Sequence, residues 1–252
     1  MNLITAAAVS CALLFVAMVL LSLAGEWVSR RQPARRTEPS NVATGAVFAL
    51  LGLLLAFTYA GAFARLDARR EMIVKEVNAI GTAFLRIDLL PADAQPALRE
   101  QFRAYTKQRL SYYEATDTES LLAEYAAAAR LQGKIWKASV AATDSGNVAT
   151  RQLVISSLND MFDAATTRRA AAMFHHPAPV VVSLFVVALL SAVLAGYSEP
   201  RDRFRQRTQF VAFAFVVSIC VYIILDMDYP RSGLINLDYI NAMMQDLLNS
   251  MG

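Results

Sequence analysis

The sequence predicts an all-α membrane protein: four transmembrane helices in two pairs, with an aqueous antiparallel helical bundle inserted between helices 2 and 3. Three observations predict it. Apolar residues make up 56% of the chain and charged residues only 18%, a balance more apolar than soluble domains carry. The apolar excess is gathered in four blocks without a charged residue, at 3–25, 42–64, 178–197 and 209–225. Between the second and third blocks lies a long stretch, 65–177, whose apolar residues recur instead at amphipathic helical spacing.

Each block approaches the ~20 residues that cross about 30 Å of hydrocarbon at ~1.5 Å per residue. The first is expected to be a retained helix, since no positive charge precedes it and it outruns a secretory signal's apolar core. The chain thus divides into a first transmembrane pair with a short basic loop (1–64), the bundle continuous with the second membrane helix (65–177), a second pair with a short basic loop (178–225) and an acidic C-terminal tail (226–252). Cys11 and Cys220 both fall inside apolar blocks and read as small packing residues, not as a disulfide or a thiolate site.

Charge sets the expected orientation. The loop of the first pair carries Arg30, Arg31, Arg35 and Arg36, and that of the second carries Arg201, Arg203, Arg205 and Arg207. Short loops rich in arginine stay in the cytoplasm, so both termini and the bundle are expected outside, in the periplasm of a bacterial inner membrane. With eight of 24 basic residues spent in these loops, the net charge of +3 describes membrane anchoring and not a nucleic-acid groove.

Within 65–177 the second membrane helix is expected to run on through Leu66, Ile73, Val77, Ile80, Phe84 and Leu85 until Leu90-Pro91. A second helix follows over 92–114, and Thr116-Asp117-Thr118-Glu119 has the capping-box pattern that starts a third. That one ends at the turn cluster Asp144-Ser145-Gly146-Asn147, and the last, from Val148, lays Leu153, Leu158, Met161, Phe162 and Ala165 on one face. These make an antiparallel four-helix bundle.

The motifs carry packing and charge, not covalent chemistry. Gly52, Ala56, Ala60 and Ala64 stand four apart on the second membrane helix, a stripe that admits close approach by another helix. Beside it lie Leu50, Leu53 and Phe57, which either face lipid and neighbours or ring a pore in an oligomer as a dewetting constriction. Arg65, Asp67, Arg69 and Arg70 leave the membrane where Asp226, Asp228 and Arg231 also leave it, giving a charged collar or, alternatively, a carboxylate vestibule. His175 and His176 are adjacent and point about 100° apart on a helix, unsuited to one metal. No phosphate loop, nucleophile elbow or zinc motif is present, so no enzymatic activity, metal or cofactor is expected.

The runs Gly45-Ala-Val-Phe-Ala-Leu-Leu-Gly-Leu-Leu-Leu-Ala-Phe57-Thr, Arg65-Leu-Asp-Ala-Arg-Arg, Glu76-Val-Asn-Ala-Ile-Gly-Thr82, Leu89-Leu-Pro91 and Ile224-Leu-Asp-Met-Asp-Tyr-Pro-Arg-Ser-Gly-Leu-Ile235 resemble a bacterial family of bestrophin-like proteins over essentially the whole chain. The name derives from bestrophins, pentameric ion channels whose second membrane helix lines a hydrophobic neck. The resemblance implies a homo-oligomer, a pentamer by analogy, that passes small ions, with Leu53 and Phe57 where neck residues lie. Bestrophins keep their aqueous domain in the cytoplasm, opposite to the side that the loop arginines assign here.

Two functions follow from these expectations. One is an oligomeric ion pore in the lipid bilayer; the other is an envelope sensor or scaffold whose bundle binds a ligand or partner protein. Orientation is directly testable: with Cys11 and Cys220 shielded in apolar blocks, S145C is expected to react with a membrane-impermeant thiol reagent in intact spheroplasts. Labelling that begins only after lysis reverses the topology.

Overall fold

The computed structural model describes residues 3–31, 41–114, 118–144, 146–173, 177–197, 203–228, 233–235 and 238–252. Eight α-helices lie among them: α1 (Leu3–Arg31), α2 (Asn41–Leu85), α3 (Gln95–Glu114), α4 (Thr118–Thr143), α5 (Val148–Met173), α6 (Ala178–Tyr197), α7 (Arg203–Asp228) and α8 (Asp238–Ser250). A 3-10 turn, Arg86–Leu89, follows α2. The chain folds as two compact units, one of Met1–Leu66 with His175–Ile235, the other of Asp67–Phe174 with Asn236–Gly252.

Four stretches are long and apolar enough to cross a membrane, Thr5–Arg31, Thr44–Leu89, Ala178–Tyr197 and Phe204–Asp228; the first unit holds three of them whole and residues 44–66 of the other. Here α1 packs on α6 and α7. The α1 residues that face inward, Cys11, Leu14, Met18, Gly25 and Ser29, recur at steps of three, four and seven residues, the signature of one helical face. Against them α6 presents small residues, Ala188, Ser191, Ala192, Ala195 and Gly196. The approach is backbone to backbone: a Cβ on Gly196 would stand 1.8 Å from the Ser22 carbonyl oxygen, and one on Gly25 would stand 2.5 Å from that of Val193. Small residues at such spacing let helices close without a hydrophobic drive, which lipid does not supply. Around this seam Leu51 of α2 joins Phe210, Ala214, Val217 and Val221 of α7, and Phe48 meets Phe213 edge to face at 5.0 Å between centroids.

The second unit is the helical bundle. Its core runs from Ile73, Val77, Ile80 and Phe84 of α2 through Leu98, Phe102 and Tyr105 of α3 and Ile135 of α4 to Val154, Leu158 and Met161 of α5. Helix α2 gives way to the 3-10 turn ahead of Pro91, and Leu90 adopts the extended backbone (φ −88°, ψ 161°) that a residue before proline favours. The start of α5 is set by Asn147, whose Oδ1 accepts the Thr150 amide at 2.7 Å as a helix N-cap does. Thr116 and Asp117 of the expected capping box lie outside the described residues.

Three details differ from the sequence reading. Leu85 and Leu153, expected on apolar faces, are 68% and 45% exposed; each belongs to a helix whose buried line passes through its neighbour, Phe84 and Val154. The stretch read as an acidic tail ends in α8, which packs on α3 and buries Met244 and Met251 in the bundle core. Arg103 fastens it there, donating from Nε and Nη2 to the Met251 carbonyl at 3.0 and 2.8 Å. The bundle therefore contains one helix more than the four expected.

A charged group sits at the centre of that bundle. Glu76 of α2 is fully buried; Arg109 of α3 donates from Nε to its Oε1 at 2.5 Å, and Arg168 of α5 donates from Nη1 to its Oε2 at 3.1 Å. Nearby, the Tyr105 hydroxyl accepts a hydrogen bond from Gln132 at 3.1 Å, and burial is the main cause that pushes its pKa up to about 12. Removing the carboxylate leaves two guanidinium groups facing one another out of water, so E76A is expected to lower unfolding stability of the detergent-solubilised chain by about 3–5 kcal/mol. E71A, on the exposed surface and paired with exposed Lys75, is expected to change it by less than ~0.5 kcal/mol. Equal denaturation midpoints for the two variants would show that the buried pairs do not hold the bundle.

Candidate functional site

Helix α2 offers two very different sides within the first unit. One line, Leu51, Thr58, Ala62 and Leu66, is buried, and the Thr58 hydroxyl is satisfied within the helix by the Leu54 carbonyl at 2.6 Å. Phe48 and Leu55 pack beside it, and much of the remainder faces outward. Leu50, Leu53 and Phe57 are 47%, 53% and 69% exposed, and Gly52, Ala56, Ala60 and Ala64 are exposed as well. A Cβ at Gly52 would meet nothing within 4 Å. The small-residue stripe and the bulky apolar residues beside it therefore lie together on surface that the single chain leaves uncovered. The close backbone approach inside the chain belongs instead to α1 and α6, a seam the sequence reading missed although Ala188, Ser191, Ala192 and Ala195 carry the same small-residue spacing.

The charged residues at the end of the spans divide among separate tasks. Arg65 Nε donates to Asp228 Oδ1 at 3.3 Å, and the Asp228 side chain is 3% exposed. Asp226, 4% exposed, accepts the backbone amides of Leu234 at 3.1 Å and Ile235 at 2.9 Å, one on each carboxylate oxygen. The glycine ahead of them lets the chain close over this carboxylate, because a Cβ on Gly233 would stand 2.5 Å from Asp226 Oδ1. Both carboxylates are thus buried and engaged in folding the exit of α7. Asp67, Arg69 and Arg70 belong to the second unit, where Asp67 is exposed, Arg69 is buried and Arg70 is half-buried. Arg231, His175 and His176 lie outside the described residues.

At the other end of the same unit a second cluster forms that the motifs did not indicate. Glu26 of α1, 8% exposed, accepts two bonds from Arg207 of α7, from Nε and Nη2, each at 2.9 Å, and also pairs with Arg30. Arg31 stacks on Trp27 with its guanidinium carbon 3.7 Å from the ring centroid. The sequence signal was Glu26 itself, a lone carboxylate one helical turn from the loop arginines.

Within the bundle unit, a groove of about 320 Å³ lies between α2 and α5, lined by Met72, Lys75, Ala79, Asp160, Asp163, Ala164 and Thr167. Among the described residues no group of three or more His, Cys, Asp or Glu side chains is placed to hold a metal ion.

Comparison with known proteins follows the same lines. No curated protein matches the chain. A crystal structure of a bacterial bestrophin homologue from Klebsiella pneumoniae, a single-residue variant, aligns with TM-score 0.76 at 14% identity over 96% of this chain and 97% of its own. A second variant of that homologue aligns with TM-score 0.77, again at 14% identity, over 96% and 95%. At such identity the likeness is one of fold: four membrane-crossing helices with a helical bundle between the second and third. The model of the bestrophin-like domain matches residues 11–239, nearly all of what these helices comprise, and this multi-pass membrane protein therefore belongs to the bestrophin-like family.

Proposed function

We propose that the chain assembles with copies of itself into a membrane pore for small ions, with α2 lining the pathway. The observation that carries this reading is the uncovered side of α2. Lipid chains are best met by large apolar side chains, whereas Gly52, Ala56 and Ala60 offer them little contact and offer a neighbouring helix a close approach. If that stripe meets the next subunit, Leu53 and Phe57, about 100° around the helix, turn toward the common axis. An apolar ring there obstructs ions by dewetting. Family membership supports the reading, since bestrophin-like proteins take their name from channels, and a pentamer is the assembly that analogy suggests.

The proposed setting is a bacterial inner membrane with the arginine-rich short loops in the cytoplasm and the bundle in the periplasm. Arg65 with Asp228, and Asp226 with its backbone amides, then hold the mouth of the pathway in shape instead of presenting free charge to ions. The groove between α2 and α5 favours a second reading, in which the bundle binds a ligand or partner as a sensor or scaffold.

Two substitutions separate gating from assembly. F57A is expected to raise ion flux through protein reconstituted in planar bilayers several-fold, with the oligomer unchanged in size-exclusion chromatography. G52L is expected to leave the isolated chain folded, because nothing lies within 4 Å of that position inside it, but to dissociate the oligomer. If neither the unaltered protein nor F57A carries current while both remain oligomeric, the pore reading falls and the sensor reading replaces it.

A further inference from the structure

We propose that the basic end of α1 and α7 is a binding site for an anionic phospholipid, seated along the outward face of α1. The face opposite the buried seam of α1 is a continuous apolar stripe: Val9, Leu13, Val16, Leu20 and Leu23 follow one another at steps of four and three residues and are 42–63% exposed. Trp27, the next residue of the series and 54% exposed, closes the stripe, and Arg31, four residues further, lies over its indole. An apolar track the length of the span, an amphipathic ring at its end and a guanidinium beyond are, in order, complementary to an acyl chain, the ester region and a phosphate.

The charge at this end favours an anionic headgroup over a zwitterionic one. Glu26 is the carboxylate on which both Arg30 and Arg207 converge, so one negative charge answers two positive ones before Arg31 is counted. In sequence, the segments 26–41 and 198–208 carry eight arginines against Glu26, Glu38, Glu199 and Asp202. Arg30 and Arg207 keep side chains 54% and 52% exposed while paired, so the cluster is a surface that can still meet a phosphate. A second copy of the chain seated on the same stripe would bring Arg31 toward like charge, whereas a free phosphate would leave the apolar track empty. The occupant that uses both parts is a lipid.

The site is independent of whether the protein conducts ions, and Trp27 reports on it. The chain has two tryptophans, Trp27 and Trp136; Trp136 packs against Phe162 in the bundle, so W136F keeps a ring there and leaves Trp27 as the sole indole. The full-length W136F protein is reconstituted in bilayers of phosphatidylcholine containing a minor fraction of brominated phosphatidylglycerol or, in parallel, the same fraction of brominated phosphatidylcholine. Quenching of Trp27 is expected to show roughly fivefold local enrichment of the anionic lipid, the factor equivalent to the ~1 kcal/mol that one basic residue contributes at a membrane surface. Adding R30Q and R31Q is expected to bring the two lipids to parity, and glycerol 3-phosphate in solution is expected to leave the preference intact.

Equal quenching by both lipids in W136F alone overturns the proposal without recourse to the arginine variants. So does absence of quenching by either, which would mean that protein covers the stripe. Displacement by glycerol 3-phosphate would overturn the lipid in favour of a soluble phosphate site, and a preference that survives R30Q and R31Q would remove the arginines from it.

Discussion

The contact between the backbones of α1 and α6 governs the membrane unit. Hydrocarbon gives apolar helices no reason to leave it for one another, so association rests on dispersion and on how closely two backbones come. With an added methyl at Gly196 only 1.8 Å from the Ser22 carbonyl oxygen, the two helices are as near as glycine permits. Everything around the seam follows from its position. The face of α1 turned toward α6 and α7 buries Cys11, Leu14 and Met18, which leaves Val9 through Leu23 on the opposite stripe to the surroundings. Glu26, next in sequence to Gly25, is drawn under the surface with it and is held there by the fork of Arg207. A carboxylate placed so by backbone packing requires a cation from a neighbouring helix, and the first turns of α7 supply one.

The bundle obeys different physics. Water drives its apolar faces together, and Ile73, Ile80, Leu98, Phe102, Ile135 and Leu158 close a core that needs no glycine seam. Into this core the chain nevertheless places Glu76 with two arginines. Hydrophobic residues of the same volume would hold such a core at least as well, so the charges contribute direction more than strength. A carboxylate with two oxygens can satisfy one guanidinium from α3 and another from α5 only in a particular register of those helices on α2, and a slipped register leaves charge unpaired.

What could be read from the sequence divides by range. The four spans were legible because lipid excludes charge residue by residue, and a block free of it declares itself without knowledge of any partner. The break at Leu90-Pro91 and the start of α5 were legible because proline geometry and an Asn cap act over three or four residues. Long-range pairing was not. Glu76 sits three residues after Ile73 and four before Ile80, on the apolar line itself; that placement was the available signal, but its partners lie 33 and 92 residues away. The small-residue stripes of α2 and α6 look alike in sequence, yet α6 closes on α1 while that of α2 stays uncovered, and spacing alone cannot distinguish the two. The last helix was hidden by its acidic neighbours, although Met244 and Leu247 already lay one turn apart.

The order in which the chain is made gives the interleaving of the two units a further meaning. Synthesis delivers α1 and the first part of α2 long before α6, so the glycine seam has only one of its two sides until residues 178–197 emerge. The bundle is made in between, but it too stays open, for α8 follows the whole of α7. Glu76 meets Arg109 early and must wait for 92 residues of chain before Arg168 can reach its other oxygen. Neither unit can therefore be finished while the other is unmade. A ribosome that stalls before α7 leaves both of them incomplete, and a nascent-chain quality check that recognises an uncovered apolar seam can act from the emergence of α1 until α6 closes on it.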